Sequence, residues 1–200
     1  MTAGEAMAIG MLGAAAAGGD PDRLREAIAG AVEVLTAEDI DELLLQTYLF
    51  AGFPRTINAF YTWQSWAMRH GGRGEPLTEP MQLESWRERG ERLCRLIYGG
   101  NFEALQIRLA RLHPELAAWT LVDGYGKVLS RPGPAADVRE MAAVGALIAL
   151  GERRQLASHL QGARHTGVEA DVLASTARAV AATWDRRSLV DELLTGLDDS

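Results

Sequence analysis

The chain has 200 residues, 48% hydrophobic and 6% aromatic, and a formal net charge of −7. That length supplies ample apolar surface for a core, and the acidic balance argues against nucleic acid or an anionic membrane as the main partner. A single cysteine, Cys94, excludes an intramolecular disulfide and a dithiol redox pair.

Apolar residues recur at helical spacing, and no stretch sustains strand alternation, so the chain is predicted to be all-α with about ten helices. The first helix covers Thr2–Ala17, closed by Gly18-Gly19. Its apolar run lacks a basic flank and is shorter than a membrane span, which predicts a core helix of a cytoplasmic protein. Asp20 caps a second helix, with Pro21 at its first position, running to Val34. Thr36, helped by Asp39, caps a third that is expected to continue to Gly52-Phe53-Pro54. A fourth, PRTINAFYTWQSWAMRH, ends at Gly71-Gly72.

The segment GGRGEPLTE at 71–79 is the clearest linker and divides an N-terminal half, 1–72, from a C-terminal half, 73–200. Beyond it a charged helix spans Pro80–Tyr98, Asn101 is expected to cap FEALQIRLARL, and Pro114 opens a helix ending in VDGYGKVLSR. The turn Arg131-Pro132-Gly133-Pro134 precedes two helices separated at Gly151-Glu152-Arg153-Arg154. Helices over Glu169–Trp184 and RSLVDELLTGL complete the chain. An ungapped internal repeat pairs 24–46 with 156–178: Leu24 matches Leu156, Gly30 matches Gly162, Ala31 matches Ala163 and Asp39 matches Asp171. Only the second copy carries a histidine at position 159, since its mate is Ala27.

Glu152, Gln155 and His159 stand at i, i+3 and i+7 and so share one helix face. Glu140 lies on the preceding helix, which the short turn folds back alongside, so a carboxylate and an imidazole can meet between packed helices. The other histidines, at 70, 113 and 165, lie at helix ends, and the four together lack paired metal-ligand spacing. Tyr48, Phe50, Phe53, Phe60, Tyr61, Trp63 and Trp66 form an aromatic cluster expected in the core or at a subunit interface. Cys94, among helical neighbours, reads as a structural thiol.

The runs RPG at 131–133, VREMAAVGALIALG, QLASHLQGA and HTGVEADVL resemble the γ-carboxymuconolactone decarboxylase family, within the alkylhydroperoxidase D superfamily. ELLLQTYLFAGFPRTINAF in the first half and RGERLCRLIYGG at 89–100 match further family segments. The superfamily's redox motif pairs a Glu with C-x-x-C-x-x-x-H. Its Glu falls on Glu140, its His on His159, and its cysteines on Glu152 and Gln155. Peroxidase chemistry is therefore disfavoured, while a possible acid–base pair remains.

The resemblance implies an alkylhydroperoxidase D-like fold and a cofactor-free, metal-free carboxy-lyase of aromatic compound catabolism acting on a small lactone carboxylic acid. His159 would be the acid and Glu140 its orienting partner; Arg139 or Arg131 would clamp the substrate carboxylate, and Tyr125 would form a pocket wall. Family members form rings of subunits, and with a doubled unit per chain a homo-oligomer, most simply a trimer, is expected. The competing expectation is a non-catalytic scaffold or small-ligand-binding protein that keeps the fold.

Overall fold

Local capping chemistry sets the first three helix starts, because a side-chain oxygen there takes amides that have no partner within the helix. Helix α1 (Ala3–Gly18) starts at Thr2, whose hydroxyl accepts from the Glu5 amide while Glu5 reaches back to the Thr2 amide. Asp20 likewise caps α2 (Pro21–Ala31), and Thr36 with Asp39 caps α3 (Ala37–Gln46). Helix α2 stops three residues earlier than expected, in a short turn in which the Val34 and Leu35 amides both bond Ala31 O. These bounds come from a computed structural model that describes residues 1–72 and 75–198.

Helix α3 does not run to Gly52. It ends at Gln46, and α4 (Tyr48–Arg69) begins two residues later. The Thr47 hydroxyl donates to Leu43 O and the Gln46 side chain is drawn into a buried contact with Arg139, so the chain turns at a place with no sequence breaker. The expected break appears as a kink inside α4. Gly52 has φ 76° and ψ 168°, a conformation that glycine adopts without steric cost, and Pro54 follows it.

After the linker, of which residues 73 and 74 lie outside the described residues, come α5 (Leu83–Tyr98), a 3-10 turn (Gly99–Asn101), α6 (Phe102–Leu112) and α7 (Pro114–Trp119). Asn101 is not a side-chain cap: it has helical torsions and ends the 3-10 turn that leads into α6. Helix α7 continues as a π-helical stretch, Thr120–Leu129. Then follow α8 (Ala136–Leu150), α9 (Arg153–His165), α10 (Ala170–Thr183) and α11 (Arg187–Asp198). Among the described residues the chain is all helical, with no strand.

Packing forms two compact units, residues 1–77 with 133–200, and residues 78–132. The division expected at 72/73 follows the linker in sequence, whereas in packing α8–α11 share a core with α1–α4. In that larger unit α1 and α8 lie at the centre, and Ile9, Leu12, Ile28, Leu44, Met141, Ile148, Leu156 and Val180 are all buried. The smaller unit packs α5 against the π-helical stretch, backbone to backbone: a Cβ at Gly126 would lie 1.9 Å from Trp86 O.

The repeat describes the larger unit. Shifting the chain by the Leu24-to-Leu156 offset lays α1, α2 and α3 on α8, α9 and α10 with helix starts matched to within a residue. The α1/α8 crossing is reciprocal under the same shift. A Cβ at Gly13 would lie 2.0 Å from Ala142 O, and one at Gly145 would lie 2.0 Å from Gly10 O, with Gly10 the repeat mate of Ala142 and Gly13 that of Gly145. The two halves pack about a pseudo-two-fold relation.

Candidate active site

Gly151 closes α8 in the left-handed conformation, φ 76°, while its amide and that of Glu152 bond Leu147 O. This short reversal returns the chain along α8 as α9, anchored by buried Leu156 and Leu160. Glu140 on α8 and His159 on α9 then meet: Glu140 Oε2 lies 2.8 Å from His159 Nδ1. Glu140 is 2% exposed and His159 7%. The Phe50 ring stands edge-on to the imidazole, centroids 5.4 Å apart. Glu152 and Gln155, on the same sequence face as His159, are exposed.

Arg139 precedes Glu140 and is buried, yet faces a different set of groups. Its Nη2 lies 3.2 Å from Glu42 Oε2, and its Nε donates to Pro134 O at 3.1 Å. The Gln46 amide nitrogen donates to the Arg139 carbonyl at 3.0 Å, and Gln46 Oε1 lies 3.4 Å from Arg139 Nη1. Gly133 completes the surround. Its φ of 104° favours glycine, and a Cβ there would meet Glu42 Cγ at 3.3 Å. Glu42 and Gln46 are functional candidates that the sequence reading missed. Their sequence surroundings do not single them out, since Glu38, Asp39 and Asp41 on the same helix are acidic too.

The two remaining candidates belong to the smaller unit. Arg131, with a side chain 10% exposed, lies 3.8 Å from Glu79, which also forms an ion pair with Arg89. The Arg89 hydrogen bonds hold the Glu79 carboxyl below the usual carboxylate range. Tyr125 is buried on the π-helical stretch and its hydroxyl donates to the Tyr98 hydroxyl at 2.9 Å.

Two cavities among the described residues lie away from the pair. One of about 270 Å³ is lined by Asp20, Leu24, Asn58, Tyr61 and Thr62 among others, and one of about 230 Å³ by Arg164, Asp171, Arg178 and Leu197 among others. Among the described residues no three His, Cys, Asp or Glu side chains form a metal-holding group, and no helix is long and apolar enough to cross a membrane.

The sequence model of the Carboxymuconolactone decarboxylase family matches residues 115–188. Over this stretch the chain is similar to that family. No curated protein matches the chain. The carboxymuconolactone decarboxylase segment begins in α7 and ends in the first turn of α11, so it contains Tyr125, Arg131, Arg139, Glu140 and His159. Glu42 and Gln46, which hold Arg139, lie outside it, in the first copy of the repeat. The all-α architecture is that of an alkylhydroperoxidase D-like fold.

Proposed function

We propose that the chain is a cofactor-free acid–base enzyme acting on a small lactone carboxylic acid, with His159 as proton donor and Glu140 as its orienting partner. The observation that carries this reading is the 2.8 Å Glu140–His159 contact inside the family segment. In such a decarboxylation the bond from carbon to the carboxyl group breaks and CO2 leaves. The electron pair passes into the conjugated lactone, and carbon then takes a proton. Glu140 accepts the Nδ1 hydrogen, which fixes the ring, and in the imidazolium form Nε2 carries the proton that passes to carbon, leaving the neutral ring. The family resemblance alone names Arg131 and Tyr125 for substrate binding; both lie in the smaller unit, and the acid–base reading rests on neither. The guanidinium of Arg139 already bonds Glu42 and Pro134 O, so gripping a substrate carboxylate would require it to give these up.

The test is His159→Gln, assayed on lactone mono- and dicarboxylates. The expected result is a loss of about 10²–10⁴-fold in kcat/KM, the usual worth of a positioned acid, with the helical fold kept. A second reading, a non-catalytic scaffold or small-ligand-binding protein, is favoured by the enclosure of the pair and by cavities lined by other residues. Turnover by wild type that is unchanged in His159→Gln, or absent for every lactone carboxylate tried, would remove the catalytic reading in favour of that one.

A further inference from the structure

We infer that Glu42 and Gln46, on α3, are positioning residues for the Glu140–His159 pair, acting through Arg139. This rests on the acid–base reading above. Ala135 stands at the N-cap of α8, where its methyl group cannot accept from the free amides of the first turn. Arg139 supplies the missing restraint. Its Nε ties back the Pro134 carbonyl just before the helix, and its Nη2 ties the turn to Glu42. Gln46 grips the main chain itself, since its Nε2 donates to the carbonyl of the peptide that joins Arg139 to Glu140. The height and rotation of that peptide decide where the Glu140 carboxylate stands. A displacement of about 1 Å would stretch a 2.8 Å contact beyond hydrogen-bond length.

The repeat argues against a clasp made for stability alone. Under the offset that lays α1–α3 on α8–α10, Glu140 and His159 fall on Ala8 and Ala27. Arg139, Glu42 and Gln46 fall on Met7, Ala174 and Arg178, and Arg178 is exposed and pairs with Asp191. The clasp occurs only on the side of the repeat that carries the acid–base pair. A buried ion pair is also poor support for stability, since desolvation offsets most of its attraction.

The experiment reads which imidazole nitrogen of His159 carries the proton, from ¹⁵N NMR of histidine-labelled full-length chain at a pH where the ring is neutral. Wild type is compared with Gln46→Met, Glu42→Gln and a destabilised control outside the clasp, Leu173→Ala, a buried core residue of α10. Wild type and Leu173→Ala are expected to hold the proton on Nδ1, facing Glu140. Gln46→Met and Glu42→Gln are expected to move the population toward the Nε2 tautomer and to lower kcat at least tenfold, with KM changed far less. The inference is overturned if the clasp variants keep the Nδ1 tautomer, or if Leu173→Ala loses it equally. Should one clasp variant fail to fold, the other decides by the same comparison. Wild-type turnover by His159→Gln would remove the acid–base reading instead, and the tautomer comparison would still decide the positioning.

Discussion

Cys94 is fully buried on α5, and burial pushes its thiol up to about 12 from an ordinary 9.0, against the opposing pull of Arg95. The folded state therefore keeps the proton where the unfolded chain gives it up. Stability from this group is complete below pH 9 and is lost as the pH rises toward 12. In that window wild type should lose about 1.4 kcal/mol per pH unit relative to Cys94→Ala, measured by urea unfolding of both proteins. A constant difference across the window would mean that the folded thiol ionises normally. The same contrast between local and distant causes governs what was legible at the site. Glu140 and His159 are joined by one glycine turn, so spacing and resemblance suffice to pair them. Glu42 and Gln46 reach Arg139 across 97 and 93 residues, and nothing in their own neighbourhood names that partner.

Among the elements, helix starts fixed by a side chain within three residues were readable at Thr2, Asp20 and Thr36, because the cap and the amides it satisfies are neighbours. The end of α3 was not, because tertiary bonds from Gln46 turn the chain there. Nor was the π-helical stretch, which lies where Gly126 packs against the Trp86 backbone, a contact between distant residues. Helix pairs in both units approach through glycine. At the α1/α8 crossing, Gly13→Ala or Gly145→Ala would drive a methyl into a backbone carbonyl that cannot rotate away. Each is expected to cost at least about 1–3 kcal/mol, read by thermal or urea unfolding, and similarly for both because the contacts are reciprocal. Gly30→Ala, whose Cβ meets nothing within 4 Å, is the control and should be neutral or slightly stabilising. Equal behaviour of all three variants would contradict the close crossing.

For the whole molecule the unresolved balance is apolar surface. Trp63 and Ala59 of α4 are buried, but Phe53, Ile57, Tyr61 and Met68 are 67%, 51%, 65% and 76% exposed. Phe53, Ile57 and Tyr61 follow one another at i, i+4 and i+8, which places them on a single face of the helix. The aromatic cluster expected from sequence therefore divides between core and surface. A contiguous apolar stripe of this kind on an acidic chain is a feature of association surfaces. We propose that this face of α4 is covered in a homo-oligomer, a trimer being the state expected when each chain already carries a doubled unit. Light scattering at micromolar concentration should then give a mass about three times the 21.7 kDa of the chain. Ile57→Glu should lower that mass toward one chain while leaving the helical signal intact, because the side chain it replaces faces outward. A stable wild-type monomer would overturn the assembly, and an Ile57→Glu variant that keeps the wild-type mass would move the interface away from α4.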